Sequence, residues 1–217
     1  MVKTPNWKKF AFPVFLIVVV GLGIAGARLA LRDPQAHAHG KVEQMFFQPV
    51  EAYDFELTDH NGRPAKLSQY RGKTVFFAFG FTHCPSICPA TLAHFVAIKE
   101  ALPADVRDKV QFLFVSVDPQ RDSPERLKEW VTFFDPDFIG LTGDTTKLRG
   151  IAYKYKATYT MGRPAADDPK NYQVDHSADA YLIGPDGKWM MSYPFEELPK
   201  AHSIAGDIAK VAAQPGK

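Results

Sequence analysis

Two cysteines lie close together and form the most reactive group in this sequence. Cys84 and Cys88 are separated by three residues, and the chain of 217 residues contains only these two cysteines. Residues four positions apart share one face of a helical turn, so both sulfurs could reach one metal ion or each other. Thiolates suit soft ions such as Cu(I) and Zn(II), and an imidazole could complete such a site. The alternative is one structural disulfide.

Of the seven histidines, His176 stands out as a third ligand. It follows Val174-Asp175 directly before a predicted strand, where a thioredoxin-type fold would place a loop against the cysteines. The alternative is a loop histidine that hydrogen-bonds to the backbone. His83 is adjacent to Cys84 and would struggle to point at the same ion, so we expect it behind the ligands or at the surface.

Two aspartates and an arginine follow the second predicted central strand. Asp118, Arg121 and Asp122 would lie in a loop beside the cysteines. Their charges could order the loops that carry the metal ligands, or they could face a partner protein. An ion pair within the loop, with carboxylates that cap the next helix, explains them equally well.

Strands and helices alternate in the segment that must position these residues. Continuous apolar runs predict buried strands at Thr74–Gly80 and Val110–Val117, with a helix from Pro89 to Leu102 between them. Further predicted elements are a hairpin around Asn61-Gly62, a helix from Pro124 to about Phe134, a helix capped by Asp144 and running to about Tyr155, strands at Ala178–Ile183 and Lys188–Tyr193, and a terminal helix with Ile204, Ile208 and Val211 on one face.

This order of elements predicts a thioredoxin-like α/β sandwich with a mixed sheet. The cysteines would then follow the carboxyl end of the first central strand and lie near a helix N-terminus. Backbone N–H groups and the helix dipole lower the pKa of a thiol at such a position. The predicted fold therefore favours thiolate chemistry there.

The N-terminal segment predicts that the globular part is exported. Phe10 to Ala27 contains no charged residue and is barely long enough to span a bilayer. We favour an uncleaved anchor at residues 1–28 over a cleaved signal peptide, because the apolar stretch exceeds the usual signal-peptide length. Residues 29–50 would form a linker and residues 51–217 the thioredoxin-like domain. In an oxidising compartment a working thiol pair must be re-reduced or protected by metal.

Length and charge limit the possible functions further. The residues after the predicted linker suit one domain with a sizeable core. The formal net charge is +2, without a dense basic stretch along the sequence. This balance gives no reason to propose nucleic acid as a partner.

Taken together, these motifs resemble the SCO/SenC family over the chain from about residue 45 to 213. The motifs that carry the resemblance are Phe81–Pro89, Val115–Pro124, Asp175–Ser177 and Tyr181–Gly187. Members of that family are thioredoxin-fold copper proteins that help to assemble the dinuclear copper centre of cytochrome c oxidase. A membrane anchor in front of the domain is typical of them. Residues 160–172 form a loop that the resemblance does not interpret.

The resemblance implies a copper metallochaperone with Cys84, Cys88 and His176 as ligands of Cu(I) and Cu(II). It would deliver copper to cytochrome c oxidase during assembly. The implied partners are the copper-bearing subunit of the oxidase, other copper chaperones and thiol reductants. The implied location is the inner (cytoplasmic) membrane, crossed once by the N-terminal helix, with the globular domain on the periplasmic side.

Other functions of the cysteine pair stay open. Cys84 and Cys88 could cycle through a disulfide, in a thiol-disulfide reductase that keeps the copper-binding cysteines of the target reduced. A peroxiredoxin-like peroxidase and a scaffold with a structural disulfide are further alternatives, so enzymatic activity is not decided. No proline precedes His176 in the stretch where thioredoxins carry a cis-proline, which argues against a general disulfide oxidoreductase. His176 distinguishes these functions, because only the chaperone needs it as a ligand.

Overall fold

The computed structural model describes residues Pro49 to Gln214. The predicted anchor at residues 1–28 and nearly all of the predicted linker at 29–50 lie outside the described residues. None of the helices in the described part of the chain has the length and apolarity that a membrane crossing requires. The predicted anchor therefore stays a prediction.

Ten strands and five α-helices make up the described chain. The strands are β1 (Val50–Glu51), β2 (Glu56–Asp59), β3 (Pro64–Lys66), β4 (Thr74–Gly80), β5 (Val110–Ser116), β6 (Ile139–Thr142), β7 (Tyr159–Met161), β8 (Val174–His176), β9 (Ala180–Ile183) and β10 (Lys188–Tyr193). The helices are α1 (Ile87–Ala101), α2 (Ala104–Arg107), α3 (Pro124–Phe134), α4 (Thr145–Lys154) and α5 (Ala201–Ala212), with 3-10 turns at Leu67–Tyr70 and Phe195–Glu197.

Eight of the strands form one mixed sheet in the order β1-β10-β9-β4-β5-β6-β2-β3. Strands β4, β5 and β6 are parallel, and the remaining neighbours are antiparallel. Strands β7 and β8 pair with each other as a separate antiparallel hairpin. This arrangement confirms the predicted thioredoxin-like α/β fold with a mixed sheet.

The centre of the sheet is covered on both faces. Every residue of β4 is buried, as its continuous apolar sequence predicts. Because side chains alternate along a strand, Phe76 packs against Phe95 of α1 while Phe77 packs on the other face against Tyr155, directly after α4. Aromatic contacts with centroids about 5 Å apart add to the burial energy of these large side chains.

Local signals placed several elements correctly. Strands β4 and β10 have the predicted bounds, and α3 begins at Pro124. The Ser123 Oγ atom accepts a hydrogen bond from the Arg126 N–H group at 3.2 Å and so caps α3. Asp144 caps α4 through two backbone N–H groups. Helix α1 begins at Ile87, two residues before the predicted start at Pro89, because a proline is tolerated in the first turn of a helix.

Parallel pairing brings two loops to one edge of the sheet. Gly80 at the end of β4 lies beside Ser116 at the end of β5. The loop that follows β4 contains Cys84, and the loop that follows β5 contains Asp118 and Asp122. These two loops therefore start from neighbouring positions, where ligands commonly bind in α/β folds.

Candidate metal centre

The two cysteines lie at the N-terminus of helix α1 in different local structures. Cys88 is buried in the first turn of the helix, whereas Cys84 is partly buried in the preceding turn. The cysteines thus do not share a helical turn, which corrects the simplest interpretation of their spacing. The Cys84 Sγ atom instead accepts a hydrogen bond from the Cys88 backbone N–H group at 3.4 Å. The sulfur thereby satisfies one of the backbone N–H groups that have no partner within the helix at its N-terminus.

A glycine makes room for the buried sulfur. A Cβ atom added at Gly80 would lie 2.8 Å from Cys88 Sγ and 2.7 Å from the Phe114 ring. Both distances are too short for real contacts, so a larger residue at the end of β4 would push the thiol away. The absence of a side chain at Gly80 therefore leaves the space that the Cys88 sulfur occupies.

His176 reaches the cysteines from the separate hairpin. It ends strand β8 and is paired with Tyr159 of β7. Its Nε2 atom lies 3.3 Å from Cys88 Sγ, and its ring stands edge-on to Phe81 with centroids 5.6 Å apart. The predicted strand directly after it starts at Ala180 rather than Ala178. A short strand of its own therefore positions this histidine.

The backbone fixes the tautomer of His176. Its Nδ1 atom lies 2.8 Å from the Ser177 carbonyl oxygen, which can only accept a hydrogen bond. Nδ1 therefore carries the proton, and Nε2 directs its lone pair towards the cysteines. Histidines that bind metals commonly have this arrangement, in which a backbone or carboxylate oxygen orients the ring.

The three side chains have the geometry of a metal site. Their ligating atoms, two Sγ and one Nε2, all lie within 4.8 Å of one another, and this is the one group of its kind among residues 49–214. Ligands that share one ion with bonds of about 2.3 Å can be at most about 4.6 Å apart. Small side-chain movements therefore suffice for Cys84, Cys88 and His176 to hold one ion, and two soft thiolates with an imidazole favour copper.

The two thiols differ strongly in acidity. A hydrogen bond from the Cys88 thiol, supported by the backbone N–H groups of Cys88 and Ser86, lowers the pKa of Cys84 to about 4. The same hydrogen bond, together with burial, raises the pKa of Cys88. The pair consequently holds one proton near neutral pH, with the thiolate on Cys84.

Selective alkylation tests this asymmetry. We expect iodoacetamide at pH 6 to modify Cys84 and to leave Cys88 unmodified, because a pKa of about 4 makes Cys84 a thiolate at pH 6. Peptide mass spectrometry after a short reaction would measure both sites. In the Cys88→Ala variant the pKa of Cys84 should rise towards its ordinary value, because the thiol that donates to Cys84 is removed, so alkylation at pH 6 should slow. Equal modification of both cysteines would contradict the assignment.

Asp122 ties the cysteine loop to the end of β5. Its buried carboxylate accepts hydrogen bonds from the Thr82 N–H group at 3.0 Å, the Thr82 hydroxyl at 2.7 Å and the Ser116 hydroxyl at 2.6 Å. Thr82 precedes Cys84 by two residues. The carboxylate thus holds the start of the cysteine loop, and its buried charge is compensated by three donors.

Asp118 binds the segment of the chain that leads to His176. Its carboxylate accepts hydrogen bonds from the Tyr172 hydroxyl at 2.5 Å and from the Arg121 guanidinium. Burial and the hydrogen bond to Asp118 raise the pKa of Tyr172 to about 12, so the hydroxyl stays a donor near neutral pH. Tyr172 lies four residues before His176 on the same hairpin.

The two aspartates are buried and present no surface to a partner protein. The side chains of Asp118 and Asp122 are both 0% exposed. This burial corrects the predicted partner-facing role, because a carboxylate at the end of a buried strand can be enclosed by the adjacent loops. Their contacts agree with the ordering of the loops that carry the candidate ligands. Asp118 also forms the predicted ion pair within the loop, with Arg121, whereas Ser123 and not an aspartate caps the next helix.

Two other histidines near the cysteines in sequence, His83 and His94, lie away from the ligand atoms. His83 is exposed, and its Nδ1 atom is 3.6 Å from the Asp122 carboxylate. His94 is half-buried on α1 and contacts the Phe195 ring. Neither belongs to the group of ligating atoms.

Sequence reasoning missed three residues that support the site. Thr82 and Ser116 bind Asp122, and Tyr172 binds Asp118. Only Tyr172 had a usable signal, because Tyr172, Val174 and His176 alternate along an extended segment and so share one face. Residues 160–172, which the sequence left uninterpreted, belong to β7 and to the excursion of this hairpin before β8.

An open groove of about 440 Å³ leads to the candidate ligands. Cys84 and His176 line it, together with Ile87 and three acidic residues, Asp175, Asp179 and Glu196. Burial and the charge of Glu196 raise the pKa of Asp179. An ion held by Cys84 and His176 would thus be reachable from the surface, whereas Cys88 lies beneath it.

Comparisons with known proteins agree on one family. The model of the family described as SCO1/SenC matches residues 43–213. The SCO2-like protein of Rickettsia felis is 35% identical over 189 residues, which cover 86% of this chain and 90% of that protein. Similarity at this level extends well beyond the motif that contains the cysteines.

Solved structures resemble the fold over the whole domain. The copper-bound ScoI of Arabidopsis thaliana has a TM-score of 0.64 at 30% identity and covers 74% of this chain and 99% of its own. The protein BsSco has a TM-score of 0.61 at 28% identity and covers 77% of this chain and 96% of its own. BsSco is described as having a disulfide switch and as a member of the Sco family of cytochrome c oxidase assembly proteins.

Proposed function

Because the chain belongs to the SCO1/SenC family, we propose that it is a copper metallochaperone for the assembly of cytochrome c oxidase. The observation that carries the proposal is the convergence of Cys84, Cys88 and His176, whose ligating atoms lie within 4.8 Å of one another. Copper is the cargo of this site. The copper-bound structure of ScoI, a relative of the same fold, supports this choice of metal.

The arrangement of the ligands suits a cargo that must be released. Two thiolates hold Cu(I), and the imidazole adds the nitrogen that Cu(II) favours. Three ligands leave one side of the ion open, and the groove beside Cys84 and His176 gives a partner's ligands access to that side. The acidic residues Asp175, Asp179 and Glu196 at the groove favour a partner with basic residues around its own copper site.

The copper-bearing subunit of the oxidase is the proposed recipient. Other copper chaperones would load the site, and thiol reductants would keep Cys84 and Cys88 reduced, because an exported thiol pair tends to close. We propose that residues 1–28 anchor the chain in the inner membrane with the domain on the periplasmic side. This placement would bring the domain to the same membrane as the oxidase.

A second candidate function is favoured by the unequal thiols. Cys84 lies at the groove with a lowered pKa, whereas Cys88 is buried with a raised pKa. The Cys84 thiolate could attack a disulfide of the target and form a mixed disulfide. Cys88 could then attack the Cys84 sulfur and release the target as a thiol. The target would gain two electrons and two protons, and Cys84 and Cys88 would be oxidised to a disulfide. Such a reductase would not need His176.

A transfer experiment tests the proposed function. Reduced protein is loaded with copper, mixed with the copper-bearing domain of the oxidase subunit, and separated from it before metal analysis. We expect about one copper ion per chain to be bound and then to move to the recipient, because soft ligands exchange at an open site. Protein locked by a Cys84–Cys88 disulfide, confirmed by mass, is the control and should carry no copper, since only thiolates bind the ion.

Two results would contradict the proposal. Stoichiometric copper in the disulfide-locked protein would place the site elsewhere. Bound copper that never reaches the recipient, while the reduced protein cleaves a disulfide in the same recipient, would favour the reductase.

A further inference from the structure

The hairpin that carries His176 is separate from the main sheet. Strands β7 and β8 bond to each other and, within the described chain, to no strand of the eight-stranded sheet. A two-stranded hairpin is marginally stable in water unless it packs on something else. The position of His176 over the cysteines must therefore depend on side-chain contacts between the hairpin and the rest of the domain.

Three residues supply a group of such contacts, in which Tyr172 binds Asp118 and Arg121. The Tyr172 hydroxyl donates to Asp118 at 2.5 Å, and the Arg121 guanidinium lies 3.8 Å from the centroid of the Tyr172 ring. Arg121 also donates through Nη1 to the Tyr172 carbonyl oxygen at 2.9 Å and pairs with Asp118. Ring, hydroxyl and backbone of Tyr172 are thus all held by two residues of the loop after β5.

The burial of these contacts makes them strong. Tyr172 is 6% exposed, Asp118 is 0% exposed, and the Arg121 side chain is 6% exposed. Hydrogen bonds that involve ionised groups are stronger than neutral ones, and a low local dielectric strengthens them further. Removal of the Tyr172 hydroxyl would also leave the buried carboxylate of Asp118 without one of its hydrogen-bond donors.

The same network continues to the cysteines. The Asp118 backbone N–H group donates to the Ser116 hydroxyl at 3.0 Å, and this hydroxyl donates to Asp122. Asp122 holds Thr82 at the start of the cysteine loop. The loop after β5 therefore binds the histidine hairpin at one end and the cysteine loop at the other.

We propose that Asp118, Arg121 and Tyr172 form an anchor that docks the His176 hairpin onto the cysteines and thereby sets the preference of the site for Cu(II) over Cu(I). This inference rests on the proposed copper function and deepens it. The three residues are positioning residues, since they act through His176. Two thiolates alone can hold Cu(I), whereas Cu(II) needs the imidazole, so undocking of the hairpin should weaken Cu(II) binding selectively.

The chain offers a closely matched pair of variants. Tyr172→Phe removes the hydroxyl that binds Asp118 and keeps the ring under Arg121. Tyr159→Phe is the control, because Tyr159 lies on the same hairpin opposite His176, is similarly buried, and its hydroxyl has no hydrogen-bond partner among the described residues. Both variants remove one buried oxygen, but only the first breaks the anchor.

The first measurement compares the two copper states in the full-length protein. Cu(II) binding is titrated by thiolate charge-transfer absorbance, and Cu(I) binding by competition with a chromophoric chelator. We expect Tyr172→Phe to lower the Cu(II) affinity about tenfold, because the docked state becomes a minority of the population, and to change the Cu(I) affinity by less than about twofold. Tyr159→Phe should leave both affinities as in the wild type.

The second measurement needs no metal. Relaxation dispersion of the backbone amides of residues 172–177 in the reduced, copper-free protein should reveal undocking in Tyr172→Phe and none in Tyr159→Phe. Unchanged dispersion, an equal loss of both copper states, or an unaltered Cu(II) affinity in Tyr172→Phe would overturn the inference. A wild-type protein that binds copper in neither state would instead contradict the proposed function, and the amide measurements alone would then decide the anchor.

Discussion

Replacing either Cys84 or Cys88 by alanine is expected to abolish stoichiometric copper binding. One thiolate and one imidazole leave too few soft ligands to retain copper against a competing chelator. The bound metal should fall from about one copper ion per chain to less than about a tenth of that after chromatography. Metal analysis of the reduced wild-type and variant proteins, side by side, measures the effect.

Ser86→Ala is the matched control for both cysteine variants. Ser86 lies between the two cysteines at the N-cap of α1, and its side chain caps no N–H group of that helix. Its removal should leave both copper binding and helicity unchanged. Full copper content in both cysteine variants would refute the assignment of the sulfurs as ligands. Loss of copper together with loss of the circular dichroism spectrum would indicate unfolding instead.

His176→Ala is expected to weaken Cu(II) binding far more than Cu(I) binding. Cu(I) is satisfied by two thiolates, whereas Cu(II) prefers more ligands with nitrogen among them. The Cu(II) affinity should fall by at least about a hundredfold, the upper end of what a metal site loses when a residue that merely orients a ligand is removed. Parallel titrations with Cu(II) and Cu(I) would measure the two losses.

The control for this variant is His83→Ala. His83 is adjacent to Cys84 in sequence but lies near Asp122 and outside the ligand group. It should retain both copper states. If His176 only stabilised its loop, His176→Ala would lower the thermal unfolding midpoint and alter both affinities alike. An equal loss in both states, or none in either, would remove His176 as the ligand that distinguishes them.

The ligand role of His176 and the anchor role of Tyr172 predict different losses of Cu(II) affinity. Removal of His176 deletes a ligand, whereas Tyr172→Phe leaves all three ligands in place and changes only how often they meet. The loss of Cu(II) affinity should therefore be smaller for Tyr172→Phe than for His176→Ala. A double variant should lose no more than His176→Ala alone, because an anchor has no effect without the ligand that it positions.

Much of the fold was predictable because its signals are local. The continuous apolar run at Thr74–Gly80 marks a strand buried on both faces, and Ser123-Pro124 marks the start of a helix. Each of these signals depends on residues within a few positions of one another. The cysteine pair was equally visible, because two thiols four positions apart need no tertiary information to suggest shared chemistry.

The sequence by itself thus determined β4, β5, β9, β10, the four longer helices and the two sulfurs, while the tertiary structure added β6, β7 and β8 and decided how the site is completed and supported. His176 meets Cys88 across 88 positions, and Tyr172 meets Asp118 across 54. The burial of Asp118 and Asp122 follows from the parallel pairing of β4 and β5, which brings their following loops together. No periodicity encodes such contacts, because they arise only when the sheet order and the docking of a separate hairpin place distant segments side by side.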